Sequence, residues 1–536
     1  MPHRPKNPTR REILKGAAAL GVTTAFSRFA NLTAADAPAV VTVSKTAMAN
    51  KLNVLFIMSD DMRPELNCYG NPLVAAPNLT ALGKAGVMFE RGYCPFPLCN
   101  PSRTAMLTGR QVINTGVMDN STYFGNTHPE LVALPRYFMQ NGYVTARAGK
   151  IFHFDDGPSW NVGGETGGTS DGQAMDIPII NPHAGVYGQV APGAADAAQA
   201  SGEDDASYNR RISSSAGKTQ QRYSDEILVL KGNGEGHGDY ATADRVIEYL
   251  RKYKDQPFFI GCGFVKPHSP PTAPQRFFDM IPVDKVQLPV DYAARRTLPE
   301  GFPEGCLRPR NADLFIGRDS TPEQAKQVIQ AYYASIAWAD WNIGRVVAEL
   351  DRLGLREKTI ICFSADHGYQ LGEKGKWSKA GSLWEEGARI PLFIAAPKAK
   401  GNGQVCKRIV ENLNIYPTLV ELCGLPMPTG QEGRSMTALL ENPQATWNYP
   451  AYTVWKEIGN QPTGWGVRVE RWRYAEYDLG GPMLLDMDND PHQLKNLALD
   501  PAYAGITAKL ADMIKQYKTQ NFPRPAYEPF TAPTAA

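Results

Sequence analysis

Charge of one sign is what this chain most lacks. Its 56 lysines and arginines stand against 54 aspartates and glutamates, a formal net of +2. No basic or acidic field therefore marks a general nucleic-acid or membrane-surface binder. Long apolar runs are missing too. The run at residues 16–26 offers about ten apolar residues where a bilayer span needs about 20, so no membrane span is expected. No internal repeat is present, and the eight cysteines (68, 94, 99, 262, 306, 362, 406 and 423) show none of the close spacing of a metal finger. In an oxidising compartment some of them could pair. Glycine and proline are plentiful by contrast, 49 and 42, which points to many loops between regular elements. A chain of 536 residues can bury a large core and form more than one domain.

The chain is organised around Cys99-Asn100-Pro101-Ser102-Arg103-Thr104-Ala105-Met106-Leu107-Thr108-Gly109-Arg110. Proline is tolerated in a first helical turn, and the hydroxyls of Ser102 and Thr104 can meet nearby free amides, so a helix is expected just after Cys99. Its free N–H groups and positive dipole end favour an anion over the residue-99 side chain. Arg103, one turn on, adds a fixed positive charge. Standing alone, Cys-x-Pro would be read as a buried structural thiol.

Around this stretch the pattern is that of an α/β protein. Residues 53–58 form a continuous apolar run, as in a parallel strand buried on both faces, and it ends at Asp60-Asp61. Further strands are expected at 143–148, 258–264, 359–363 and 390–395. Helices are expected at 77–85, 134–140, 240–254, 328–350 and 414–423. Residues 155–238 lose all period and read as a long rim insertion that shapes substrate access, with 269–321 irregular as well. A second unit begins near Trp447, with antiparallel strands at 452–455, 466–477 and 483–486, a turn at Gly480-Gly481-Pro482, and a last helix at 502–518.

The strand ends carry the chemistry, since ligand sites of open α/β sheets lie at that edge. They deliver Asp60-Asp61, Gly149-Lys150 with His153, Lys266-Pro267-His268, and Asp366-His367-Gly368 to the residue-99 turn. Asp60, Asp61, Asp366 and His367 make a set dominated by carboxylate oxygen, which suits Ca²⁺ better than zinc. Taken singly, Asp-Asp after a strand is more often a solvated turn, and a lone lysine or histidine a surface or structural group.

The run 99–110 fills every fixed position of the C-x-P-S-R-x-x-x-L-T-G-R signature of type I sulfatases. The chain resembles that family over most of residues 52–500, and its iduronate 2-sulfatase branch most. The segments already named fit that branch, as do Gly372-Glu373, Trp377, Lys379 and residues 389–392. The resemblance implies an alkaline-phosphatase-like α/β fold: a mixed, mostly parallel sheet flanked by helices, with a smaller C-terminal antiparallel α+β subdomain. It implies that a maturation enzyme oxidises Cys99 to formylglycine. It implies too that Asp60, Asp61, residue 99, Asp366 and His367 hold one Ca²⁺, while Arg103, Lys150, His153, His268 and Lys379 surround the sulfate. One hydroxyl of the hydrated aldehyde would attack sulfur in line while His268 protonates the leaving oxygen; the second would then expel sulfate. If Cys99 is converted, seven cysteines remain and at least one stays unpaired within the chain.

The expected substrate is a sulfated sugar, with a 2-O-sulfated uronate leading, and aryl sulfates beside it. Two other readings share these residues: a phosphodiester or phosphonate monoester hydrolase, and a sulfated-glycan binding protein that is never matured. The N-terminus, Thr9-Arg10-Arg11-Glu12-Ile13-Leu14-Lys15 before a weakly apolar run, resembles a twin-arginine export signal, with Ile13 where phenylalanine is usual. The expected layout is thus signal segment 1–37, linker 38–50, catalytic domain 51–446 and C-terminal subdomain 447–536, in a periplasmic or secreted protein.

Overall fold

A computed structural model describes residues 51–154, 156–163, 203–215, 225–307, 314–315, 317–457, 463–519 and 521–530. The expected signal segment and linker, and much of the rim insertion, lie outside the described residues. In chain order the strands are β1 (Asn53–Asp60), β2 (Val87–Tyr93), β3 (Val144–Gly149), β4 (Leu228–Leu230), β5 (Phe258–Pro267), β6 (Thr272–Pro274), β7 (Thr359–Ala365), β8 (Arg389–Ala395), β9 (Val405–Glu411), β10 (Ala451–Trp455), β11 (Gly464–Arg468), β12 (Trp472–Tyr477) and β13 (Gly481–Asp486). The helices that matter here are α1 (Pro77–Ala85), α2 (Cys99–Thr108), α3 (Leu134–Gln140), α4 (Gly238–Tyr253), α5 (Pro322–Arg352), α6 (Ile415–Leu422) and α7 (Ala504–Tyr517).

A seven-stranded sheet in the order β3-β5-β1-β7-β8-β2-β9 forms the centre. Only β8 runs against the rest. The carboxyl ends of β1, β3, β5 and β7 therefore share one edge. Side chains alternate along β1: Leu55 and Ile57 join the core beneath α1, α4 and α5, and Val54, Phe56 and Met58 join the core beneath α2, α3 and α6. These five side chains are fully buried and contribute on the order of 10 kcal/mol of apolar transfer. That is enough to set against the several kcal/mol of desolvation that each carboxylate beyond the strand end brings. α5 starts at a capping box in which Thr321 and Gln324 satisfy each other's backbone N–H groups.

The expected strands and helices stand within a few residues of their anticipated bounds, with three differences. Residues 466–477 are not one strand: β11 and β12 form a hairpin, closed where the Val469 N–H donates to the Trp472 carbonyl at 2.9 Å. β2 and β9 were not anticipated, because Glu90-Arg91 interrupts the apolar pattern of the first and Lys407-Arg408 that of the second, at the sheet edge. Within 155–238, residues Asp205–Ser215 are helical and β4 pairs with β6.

β10 to β13 form a four-stranded antiparallel sheet against α7. Its core also takes in Phe96, Ala105 and Val112, so it backs the segment around α2. All eight cysteines are free thiols. Among the described residues no helix is long and apolar enough to cross a membrane.

Candidate active site

β1 delivers Asp60 and Asp61, both fully buried. Asp61 takes a left-handed backbone, φ 62°, which aspartate tolerates better than most residues. Two contacts hold it there. The Tyr332 hydroxyl on α5 donates to the Asp61 carbonyl at 2.5 Å, and the Asp61 N–H donates to Asp366 Oδ1 at 3.2 Å.

α2 begins at Cys99 after the extended Leu98, and every one of its residues is buried. It closes on Gly109, whose φ of 66° lets its N–H reach the Ala105 carbonyl. Cys99 Sγ lies 3.4 Å from Asp60 Oδ1 and 3.3 Å from His367 Nε2. One turn on, Ser102 Oγ donates to the Asp366 carbonyl and accepts from Asn412 Nδ2 at 3.0 Å. The signature helix is thus fastened to the end of β7 by its own second-turn hydroxyl.

Arg103 sits beneath these groups with no exposed surface. Its Nε donates to Asp366 Oδ2 at 2.8 Å, its Nη2 meets Asp60 Oδ2 at 3.3 Å, and its Nη1 donates to the carbonyls of Lys150 and Ile151 at 2.6 and 2.9 Å. These partners make the guanidinium a brace between two carboxylates. Lys150, just past β3, pairs with Asp60 Oδ2, and Lys379 Nζ donates to Asp61 Oδ2 at 2.9 Å. Three buried carboxylates and three cations therefore sit together.

The two histidines at strand ends differ in access. The His367 side chain is fully enclosed, whereas that of His268 keeps 29% of its surface open, with Nε2 at 3.9 Å from Asp61 Oδ2. His153 is half-buried, and its Nδ1 is enclosed without a hydrogen-bond partner. Burial, with Lys150 adding to it, brings the His153 imidazole down to about 3. Burial alone would raise the Asp60 carboxyl, but Lys150 and Arg103 outweigh it and hold Asp60 well below the usual carboxylate range. Burial and then the Asp60 charge push the Cys99 thiol up.

The structure thus brings Asp60, Asp61, Cys99, Arg103, Lys150, His268, Asp366, His367 and Lys379 into one contact network, with His153 at its margin. Ligand atoms of Asp60, Cys99, Asp366 and His367 all lie within 4.8 Å of one another, as do those of Asp60, Asp61, Cys99 and His268. Three buried carboxylates on one focus fit a hard divalent cation. Sequence reasoning missed Tyr332 as a site residue, since it lies among the buried apolar residues of α5. Its hydroxyl was the available signal, since a buried phenol needs a polar partner.

A buried cysteine, converging carboxylates and flanking cations at the carboxyl edge of an α/β sheet suit a tetrahedral anion. The sulfatase family model matches residues 52–425, and the model described as N-sulphoglucosamine sulphohydrolase, C-terminal, matches residues 372–520. The chain belongs to the sulfatase family and is a sulfuric ester hydrolase. A sulfatase of Formosa agariphila is 30% identical over 475 residues, covering 84% of this chain and 83% of that protein. Iduronate 2-sulfatase of Mus musculus is 29% identical over 418 residues, covering 70% of this chain and 69% of its own length. Among solved structures, the phosphonate monoester hydrolase of Agrobacterium radiobacter superimposes with a TM-score of 0.66 at 22% identity, over 88% of this chain and 96% of that one. This last likeness concerns the fold.

Proposed function

We propose that this sulfatase acts through formylglycine at position 99, with one Ca²⁺, on sulfated sugars and aryl sulfates. A 2-O-sulfated uronate is the leading natural substrate. The observation that carries this reading is the position of Cys99 Sγ, at the first turn of the signature helix and within 3.4 Å of both Asp60 and His367. Once hydrated, the formylglycine aldehyde would supply two hydroxyls on one carbon, one for attack on sulfur and one for release of sulfate. Asp60, Asp61, Asp366 and His367 would hold the cation, whose charge opposes the negative charge developing at the reacting oxygens.

The chain's own residues divide the remaining work. Arg103 locks Asp60 and Asp366 in place. Lys150 and Lys379 flank the nucleophile and offset charge on the sulfate oxygens, an electrostatic contribution of several kcal/mol. His153, near Lys150, borders the same site. His268, the histidine open to solvent, protonates the departing oxygen. The twin-arginine-type N-terminus supports export as a folded chain to the periplasm or beyond, after a maturation enzyme has acted on Cys99.

The test compares kcat/KM for a 2-O-sulfated uronate disaccharide, an aryl sulfate, and phosphonate or phosphate esters with the same leaving group as the aryl sulfate. The sulfate esters are expected to be faster by orders of magnitude. A phosphonate or phosphate ester that wins by the same margin would move the protein to phosphonate hydrolysis. An inert uronate beside an active aryl sulfate would remove only the sugar assignment.

A further inference from the structure

Lys266, the penultimate residue of β5, has no place in the chemistry above, yet among the described residues it is the most fully enclosed lysine. It is 1% exposed. Among the described residues no carboxylate lies within hydrogen-bonding distance of its ammonium. Nζ donates instead to the carbonyl of His268 at 2.8 Å and to that of Pro270 at 2.7 Å. A buried cation satisfied only by neutral carbonyls is expensive, and burial lowers the lysine to about 8. A methionine of similar length would fill the space without that cost. What it would not do is close the turn, because the two carbonyls two and four residues on need a donor with two free N–H bonds.

The backbone of the same residue is fixed on both sides. Its N–H donates to Asp239 Oδ2 at 2.9 Å, next to the Val265 N–H on Oδ1, and Asp239 itself lies buried in the first turn of α4. Its carbonyl accepts from Ser59 Oγ, one residue before Asp60. Lys266 is therefore anchored to α4 and to the end of β1, and its side chain reaches forward from that anchor to the carbonyls of the turn. The imidazole of His268 then points the other way, out towards Asp61. Its Nδ1 donates to the Ser269 carbonyl at 2.7 Å, which leaves Nε2 as the nitrogen facing the reaction.

We propose that Lys266 is the positioning residue for His268: its buried ammonium, bound to the carbonyls of His268 and Pro270, sets the aim of His268 Nε2 without touching substrate. This deepens the functional reading above and rests on the role of His268 in leaving-group protonation.

The experiment measures kcat and KM of matured protein on a sugar or alkyl sulfate and on a nitrophenyl sulfate, whose phenolate departs with little help from a proton. The variants are Lys266→Met, Lys266→Gln, His268→Ala and the Lys266→Met/His268→Ala double variant, each checked for wild-type thermal unfolding. Lys266→Met is expected to lower kcat on the poor leaving group by about tenfold or more, and on the nitrophenyl ester by at most about threefold. Lys266→Gln, which keeps a donor for one carbonyl, is expected to fall between, and it decides alone if Lys266→Met does not fold. In the His268→Ala background the lysine substitution is expected to add nothing. Equal losses on both substrates from the lysine variants, or losses that multiply with those of His268→Ala, would overturn the proposal while leaving the role of His268 intact. Equal losses from His268→Ala itself would overturn the role of His268, and the positioning claim with it.

Discussion

Asp366 carries three loads at once. Its Oδ1 accepts the N–H groups of Asp61 and His367, at 3.2 and 3.0 Å, and its Oδ2 accepts Arg103 Nε at 2.8 Å. An asparagine there must turn its amide towards either the backbone donors or the guanidinium, so one set loses its acceptor. On the proposed calcium reading, Asp366→Asn is expected to weaken calcium binding, read by calorimetry on the purified protein. It is also expected to lower kcat/KM by more than the roughly 10- to 100-fold that loss of a supporting group costs. Unchanged calcium affinity and rate would remove Asp366 from the metal set. At this scale the sequence was legible in identity and mute in direction. The residues that meet at Cys99 were each readable from a strand end or a family segment. Sequence could not say that Arg103 spends its donors on Asp60, Asp366 and two carbonyls, because one turn of helix fixes where a side chain starts and not what it reaches. Tyr332 was hidden for the same reason: its ring belongs to the apolar stripe of α5 and its hydroxyl to the site.

Elements set the pH response of the fold. The end of β9 places Glu411 in an interior where it accepts from the Tyr452 N–H at 3.0 Å and from Gln111 Nε2 at 3.2 Å. Burial raises its carboxyl to about 7, against about 4.3 in an unfolded chain. Folding therefore favours the protonated form. That contribution is complete below the unfolded value and is lost as pH rises through about 7, leaving a cost on the order of 3 kcal/mol at pH 8. Glu411→Gln stays neutral throughout. Rearrangement of the Gln111 amide shifts its stability by a constant, so the readout is slope: between pH 5 and 8 the variant is expected to gain on the wild type in urea unfolding. Parallel profiles would contradict the assignment. β9 is also where element-level reading failed, since charge at Lys407 and Arg408 masks an edge strand. The long apolar runs of β1, β5 and β7 read true because both their faces are buried, and α5 because its stripe is continuous. The hairpin of β11 and β12 was merged into one strand because Val469-Glu470-Arg471 carries none of the glycine, proline or asparagine that marks a turn.

At the scale of the whole molecule, one short helix joins the two sheets. Met106 and Leu107 of α2 belong to the core under the large sheet, and Ala105 belongs to the core of the small one. The small sheet also holds the chain leading into Cys99, where the Val454 N–H and Thr453 Oγ1 donate to the carbonyls of Pro95 and Cys94, both at 2.8 Å. Residue 99 is thus gripped from both sides, with its side chain against Asp60 and His367. A group so fixed is suited to one chemistry, and the account stands or falls on what it is. The direct measurement is peptide mass spectrometry of residue 99 across preparations matured to different extents, set against specific activity on an aryl sulfate. The account predicts that activity rises in proportion to the fraction of residue 99 present as formylglycine and vanishes where only cysteine is found. Sustained turnover from protein carrying unmodified cysteine at position 99 would contradict it.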